Sequence, residues 1–172
     1  MMERKVSKKK AAKKKAVKVE PKPEAKKKAA PCVEVVLKHG VELPQRHSAG
    51  AAWYDLCAMV GGKQTIANGG SMNVSTGISL KIPEGMAGLI VPRSGLGASG
   101  LVLGNLVGVI DSDYRGEVMV NLWNRSREVK FIEPGMRIAQ LLFVRVEAPV
   151  LESVESLEDS PRGDGGFGST GE

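Results

Sequence analysis

The chain has 172 residues, of which 42% are hydrophobic and 4% aromatic, and this length suits a single domain with its own core. Its net charge of +6 is unevenly distributed. Residues 1–30 carry thirteen Lys and Arg against three Glu, a net charge of +10, and the remainder carries twelve against sixteen Asp and Glu, a net charge of −4. No apolar run approaches the ~20 residues that span a bilayer, and the N-terminus lacks the apolar stretch of a secretion signal. We therefore expect no membrane segment.

The two cysteines, Cys32 and Cys57, form no disulfide framework and lack metal-ligand spacing. Their scarcity favours a reducing compartment. A cytoplasmic location is the expectation, with the nucleoid or nucleus as the alternative if the basic leader directs the protein there.

Residues 1–31 form a low-complexity leader of Lys, Ala and Pro. It has too little apolar surface to offset the entropy of ordering, so the composition predicts disorder. Lysines displace counterions from phosphate backbones without selecting a sequence, and residues 4–28 are therefore a candidate for nonspecific nucleic-acid contact. A leader that only increases solubility is the alternative. A transit peptide is disfavoured because Lys far outnumbers Arg and three Glu are present.

Short apolar or alternating runs fill the chain from Val33 to Val154, among them VEVVLK, LVLGNLVGVI and EVMVNLWN. Gly, Pro, Asn or Asp bounds each run, and none keeps a helical period for three turns, which indicates β-strands. The pattern predicts an all-β domain of about ten short strands, a barrel or jelly-roll-like sandwich, with helix limited to one turn after Pro92. Because so small a β domain must cover its sheet edges, we expect it to oligomerise.

The stretch VPRSGLGASG places Arg93 and Ser94 between an apolar strand and a Gly-rich bend. A guanidinium fork, a hydroxyl and the backbone amides of the bend suit phosphate oxygens. A plain turn accounts for the same residues, and the segment alone leaves both interpretations open.

The stretch GNLVGVIDSDYRGE favours a strand, a turn and a second strand, with Asn105, Gly108 and Asp111 around one hairpin and Tyr114 just beyond it. Backbone groups of such a hairpin, with an Asn amide, can pair with a planar heterocycle. Asp111 is a candidate general base on water, whereas Asp113 suits a turn cap. Turn-forming acids and a core tyrosine are the structural alternative.

Two polar residues interrupt apolar runs elsewhere, Asp55 in WYDLCA and Gln140 in RIAQLLF. A buried acid needs partners, so Asp55 either bonds a cation or ordered water or faces out from an edge. The sequence contains no P-loop, zinc-protease, paired-cysteine or serine-elbow motif. Carboxylate-activated water, phosphate-binding loops and a divalent cation remain as the favoured chemistry.

Five segments together resemble the five motifs of the trimeric dUTPases, the deoxyuridine triphosphate nucleotidohydrolases. In chain order they are WYDLCA, VPRSGLG, GNLVGVIDSDYRGE, RIAQLLF and RGDGGFGSTG, and the resemblance spans Val33 to Gly171. It implies an all-β, jelly-roll-like β-clip fold that assembles as a homotrimer with active sites shared between subunits. It further implies hydrolysis of dUTP to dUMP and pyrophosphate with Mg²⁺, which keeps uracil out of DNA and supplies dUMP for thymidylate synthesis.

The resemblance also assigns roles to individual residues. Asp111 would orient and activate the water that attacks the α-phosphorus, and Asp55 would act on Mg²⁺ indirectly, through water, the ion being held mainly by substrate phosphates. The phosphates would be held by Arg93, Ser94, Gly95 and Gln140. The uracil nucleoside would be held by Asn105, the main chain near Val109 and Ile110, Tyr114 under the deoxyribose, and Met119.

The Gly-rich end of the chain would close over a neighbouring subunit's site as a mobile lid. Its substrate-binding residues would be Arg162, Phe167, Gly168, Ser169 and Thr170. The predicted organisation is thus a leader at residues 1–31, a β domain at 32–160 and a lid at 161–172.

One segment departs from the family pattern, because AGAAWYDL places Ala51, Ala52 and Trp53 between Gly50 and Tyr54. Two alternatives to the dUTPase assignment remain. A dCTP deaminase shares the fold and the Pro-Arg-Ser stretch, and a non-catalytic nucleotide-responsive or DNA-associated regulator would give most weight to the leader.

Overall fold

The computed structural model describes residues 30–166, which form ten strands and one short helix. Within this range no helix is long and apolar enough to cross a membrane. Residues 1–29 of the predicted leader, and the predicted lid residues Phe167, Gly168, Ser169 and Thr170, lie outside the described residues. The elements are β1 Glu34–Leu37, β2 Tyr54–Cys57, β3 Gln64–Ile66, β4 Ser71–Lys81, β5 Met86–Pro92, α1 Ser94–Ala98, β6 Leu101–Leu103, β7 Gly108–Ile110, β8 Glu117–Asn124, β9 Lys130–Ile132 and β10 Arg137–Arg145.

The strands form three antiparallel sheets. The first has the order β1-β4-β8-β6, the second β2-β10-β5-β7, and the third pairs β3 with β9. The predicted all-β fold and the helical turn after Pro92 are confirmed. The predicted end of the β region was wrong: β10 ends at Arg145, and described residues beyond it, up to Val154, form neither strand nor helix.

One core unites the three sheets, and the alternation of buried and exposed side chains that fills it is most regular in β8. In β8, Val118, Val120 and Leu122 are buried, whereas the residues between them are at least partly exposed. Their buried neighbours include Leu141 of the second sheet and Ile132 of the third. Burial of each such side chain contributes roughly 1.5–3 kcal/mol, so packing of the sheets against one another accounts for the fold's cohesion.

The chain between β6 and β7 is a crossover rather than the predicted hairpin. β6 pairs with β8 in the first sheet, and β7 pairs with β5 in the second. The hairpin prediction was therefore wrong, because the same turn residues serve equally to carry a chain from one sheet to another. Leu106 in this crossover has φ 63, a conformation that costs a non-glycine residue about 1–3 kcal/mol and that persists only where the surroundings impose it.

Candidate active site

The crossover and the strands beside it enclose a cavity of about 210 Å³, called here the β7 pocket. It contains the residues that the sequence predicted for nucleoside binding together with the predicted base. The predicted residues that line it are Asn105, Val109, Ile110, Asp111, Tyr114 and Met119. The structure thus brings this whole group together, although the connection that does so is not a hairpin.

β7 offers backbone groups to this pocket because it is the last strand of its sheet. Its only strand partner among the described residues is β5. Peptide N–H and C=O groups on the outer edge of β7 therefore remain available to a planar ligand. The Asn105 amide lies close by, since a Cβ built on Gly108 would come within 3.4 Å of Asn105 Nδ2. These groups can supply both donors and acceptors.

Asp111 stands directly after β7 with an exposed side chain, at the edge of the β7 pocket. Its carbonyl oxygen accepts a hydrogen bond of 3.2 Å from the Tyr114 amide, which closes the turn between them. The turn places the Asp111 carboxylate and the Tyr114 ring on one cavity. Asp113, which the sequence assigned to turn capping, is exposed and does not line the pocket.

A second group of predicted residues surrounds Asp55, which is only 7% exposed. Asp55 on β2 is paired in register with Gln140 on β10, and the Gln140 Nε2 donates to Asp55 Oδ1 at 3.1 Å. Arg93 Nε lies 3.3 Å from the same oxygen, within ion-pair distance but without hydrogen-bond geometry. Of the alternatives that the sequence left open, the structure selects a buried Asp55 bonded to cations.

Two further members of the Asp55 cluster escaped the sequence analysis. Arg137 donates to Asp55 Oδ2 at 3.1 Å, and His47 Nε2 lies 3.1 Å from the same oxygen. Arg137 and Gln140 are three positions apart on β10, and residues at that spacing face opposite sides of a regular strand. A register shift between Arg137 and Ala139 brings Arg137 and Gln140 to the same carboxylate.

Arg93 stands at the junction of β5 and α1, with extended backbone at φ −75 and ψ 134. Its NH1 donates to the Arg137 carbonyl at 3.3 Å, so the guanidinium is held in place by the Asp55 cluster. Ser94 and Gly95 follow it and are exposed. Arg93 is therefore tied to the buried Asp55 carboxylate, whereas the next two predicted phosphate ligands, Ser94 and Gly95, are open to solvent.

The two groups remain separate within this chain. No side-chain hydrogen bond or ion pair within residues 30–166 joins the Asp55 cluster to the residues of the β7 pocket.

Of the predicted lid ligands, Arg162 is within the described residues. Its Nε donates to the Gly165 carbonyl at 2.8 Å in a local turn.

Comparison with known families identifies the family of this chain. The dUTPase family model matches residues 39–171. The chain belongs to the dUTPase family. Its predicted all-β dUTPase fold and its assignment as a dUTP-hydrolysing enzyme are confirmed, and the resemblance seen in the five motifs is correct.

Similar curated proteins are deoxyuridine 5'-triphosphate nucleotidohydrolases. The one from Alcanivorax borkumensis is 49% identical over 137 residues, which cover 78% of this chain and 91% of the relative. The one from Baumannia cicadellinicola is 45% identical over 131 residues, 76% of this chain and 87% of the relative.

Solved structures of phage dUTPases share the fold. A mutant dUTPase of Staphylococcus bacteriophage 80alpha with dUpNHpp, a dUTP analogue, aligns with a TM-score of 0.73 at 28% identity, over 81% of this chain and 98% of that one. A mutant dUTPase from phage phi11 of S. aureus, in which a structural Mg(II) ion is coordinated, aligns with a TM-score of 0.67 at 24% identity, over 75% of this chain and 100% of that one.

Proposed function

We propose that this dUTPase hydrolyses dUTP to dUMP and pyrophosphate by attack of water on the α-phosphorus, with Asp111 as the general base. The observation that carries the proposal is the placement of Asp111 on the same cavity as Asn105, Tyr114 and the free edge of β7. A carboxylate that adjoins a nucleoside pocket is within reach of the phosphate nearest the sugar. General-base assistance of this kind accelerates a reaction by about 10²–10⁴-fold.

The β7 pocket selects uracil by hydrogen bonding and by shape. Uracil presents a fixed pattern of donors and acceptors to the outer edge of β7 and to the Asn105 amide. Cytosine alters that pattern and leaves buried groups unpaired, which is costly. A cavity of about 210 Å³ lined by Met119 and Ile90 leaves little room for the methyl group of thymine. Tyr114 lies under the deoxyribose and excludes a 2'-hydroxyl.

The triphosphate is bound by Arg93, Ser94, Gly95 and Gln140, at the solvent side of the Asp55 cluster. Asp55 and the Arg137 carbonyl hold the Arg93 guanidinium, so that little ordering is needed when phosphate binds. Arg162, Phe167, Gly168, Ser169 and Thr170 of the Gly-rich lid complete the site and exclude water when they close.

Mg²⁺ fits a site formed mainly by the substrate's phosphates. Within residues 30–166, no three His, Cys, Asp or Glu side chains are grouped so that they hold a metal ion together. Asp55 lines a cavity of about 590 Å³ beside its buried carboxylate, and this suits an indirect role through metal-bound water. When bound, the ion neutralises developing negative charge on the phosphate oxygens.

The separation of the Asp55 cluster from the β7 pocket supports a homotrimer whose active sites combine residues of different subunits. The described segment after β10 also supports assembly, because its apolar residues Val150, Leu151 and Leu157 are 87–94% exposed. Side chains of this kind are favoured at protein contacts. In this arrangement the enzyme keeps uracil out of DNA and supplies dUMP for thymidylate synthesis.

An assay with two nucleotides and one metal tests the proposal. Purified protein is incubated with dUTP or dCTP, with Mg²⁺ or with EDTA, and pyrophosphate and ammonia are measured. We expect pyrophosphate from dUTP alone, with turnover that falls when EDTA removes the metal. Ammonia released from dCTP identifies a deaminase of the same fold, and no turnover of either nucleotide favours a non-catalytic regulator; both results contradict the proposal.

The basic leader gives the enzyme, in the cytoplasm or at the nucleoid or nucleus if the leader directs it there, a second contact, which is nonspecific binding to nucleic acid. Its support is the net charge of +10 over residues 1–30 beside a net charge of −4 elsewhere. We expect the full chain to bind a labelled DNA duplex in an anisotropy titration, with affinity that falls steeply between about 50 and 200 mM salt. Deletion of residues 1–31 is expected to abolish this binding. Equal binding by both forms means that the leader serves only solubility.

A further inference from the structure

Glu117 at the start of β8 connects three separate parts of the chain through its carboxylate. Lys38, directly after β1, donates to Oε2 at 2.6 Å, and the Gly77 amide of β4 donates to Oε1 at 2.7 Å. The Ser75 hydroxyl donates to Oε1 as well. With a side chain only 21% exposed, Glu117 is fixed between β1 and β4 rather than extended into solvent.

The local irregularity of β4 explains why this carboxylate is needed. The register between β4 and β8 shifts between Ser75 and Ser79, and Gly77 within the shift has φ 70. A Cβ at that position would come within 2.5 Å of Val41 Cγ2, so glycine is required there. A bulge removes backbone groups from the ladder. The Glu117 carboxylate accepts the Gly77 N–H that the bulge leaves without a strand partner.

The backbone carbonyl of Glu117 holds the Tyr114 side chain. The Tyr114 hydroxyl donates to the Glu117 carbonyl at 3.0 Å. On the near side, a Cβ built on Gly116 would lie 2.4 Å from the Tyr114 hydroxyl oxygen, so the ring occupies the space that any side chain there needs. Both Glu117 and Tyr114 line the β7 pocket. The position of the Glu117 carbonyl therefore determines where the Tyr114 ring lies.

We propose that Glu117 is a positioning residue for the selection of 2'-deoxyribose over ribose. Its side chain anchors the first residue of β8 to the β4 bulge and to Lys38, and the anchored carbonyl holds Tyr114 against the sugar. This inference rests on the proposed function, in which Tyr114 excludes the 2'-hydroxyl. Glu117 itself touches neither the phosphates nor the attacking water.

The charge state of Glu117 suits this task. The hydrogen bond from Lys38, followed by that from Ser75, lowers the pKa of Glu117, with a smaller contribution from the Gly77 amide. An ionised carboxylate only accepts hydrogen bonds and can satisfy three donors at once.

The test is a double-mutant cycle that measures kcat/KM for dUTP and for UTP. Glu117→Ala is expected to lower the dUTP/UTP ratio about three- to tenfold, the effect of one hydrogen bond, and Tyr114→Phe to lower it by a similar factor. Because both changes release the same ring, the double variant is expected to match the single ones. Glu117→Gln, which keeps one acceptor oxygen for the Ser75 hydroxyl and the Gly77 amide, is expected to restore most of the ratio.

Glu34 provides the matched control, since it forms a 2.6 Å ion pair with Lys81 that also joins β1 to β4. Glu34→Ala is expected to leave the ratio unchanged, and an equal loss of ratio in that variant overturns the proposal. An unchanged dUTP/UTP ratio in Glu117→Ala also overturns it. So does a double variant whose loss of ratio equals the product of the losses in Glu117→Ala and Tyr114→Phe. If Glu117→Ala fails to fold, Ser75→Ala replaces it, because Ser75 donates to the Glu117 carboxylate. The same changes in the dUTP/UTP ratio then support or overturn the proposal.

The wild-type measurements separate failure of this inference from failure of the proposed function. Absence of dUTP turnover, or a wild-type enzyme that hydrolyses UTP as well as dUTP, overturns the proposed roles themselves. A ratio that Tyr114→Phe leaves unchanged overturns the positioning inference, because phenylalanine keeps the ring and removes only the hydroxyl that bonds the Glu117 carbonyl. Normal discrimination that responds to Tyr114→Phe and not to Glu117→Ala overturns the positioning role of Glu117 alone.

Discussion

Replacing Asp111 by Asn is expected to lower kcat for dUTP hydrolysis by about two to four orders of magnitude while nucleotide binding is largely preserved. An amide has the size of the carboxylate but does not accept a proton from water. The Asp111 side chain is exposed at the pocket edge and packs in no core, so the substitution leaves the fold intact. The loss therefore falls on the transition state and not on ground-state binding.

Single-turnover kinetics and a titration with dUpNHpp measure the two effects separately. Asp113→Asn is the matched control, because Asp113 is an exposed acid two positions along that does not line the pocket. We expect near wild-type kcat for Asp113→Asn. Turnover of Asp111→Asn close to that of the wild type would assign the base to another group.

The strands were predictable because local alternation and core packing demand the same residues. β8 is the clearest instance, since its buried positions are apolar except for Asn124, and the positions between them are at least partly exposed. Breaker residues set the ends of most strands. The end of the β region was misjudged because residues 146–154 keep apolar residues such as Val150 and Leu151, although these are more than nine-tenths exposed in the chain. Apolar composition alone does not show what covers a residue.

The sequence predicted the site residues that lie near one another in the chain. It missed some of those that only folding brings together. Asn105, Asp111 and Tyr114 lie within one motif and share one cavity. The Asp55 cluster depends instead on strand register and on a register shift in β10, neither of which has a local sequence signal. His47 is a further case, because it reaches Asp55 from a stretch with no helix or strand. The role of Glu117 similarly depends on a bulge in β4.

Ending the chain before Arg162 is expected to leave a folded protein whose kcat/KM for dUTP falls about 10²-fold or more. The folded domain does not need these residues, because the last strand ends at Arg145 and Arg162, Gly163 and Asp164 are exposed. The midpoint of thermal unfolding is therefore expected to change by no more than a few degrees. The catalytic loss follows from removing Arg162, Ser169 and Thr170, which we propose as phosphate ligands, since loss of two charged hydrogen bonds produces an effect of this size.

The measurement combines thermal unfolding, light scattering for the proposed trimer, and steady-state kinetics on the same preparation. A chain that ends at Thr170 is the matched control, since it keeps every proposed ligand and lacks only Gly171 and Glu172. It is expected to retain near wild-type kcat/KM. If the shorter form is equally active, the Gly-rich segment is not a lid. If it is inactive because it no longer assembles, the segment serves the interface, and supplying the missing residues as a separate peptide is expected to restore no activity. Partial rescue by that peptide, with the trimer intact, is the result that a closing lid predicts, because a lid contributes its contacts only while it lies on the substrate.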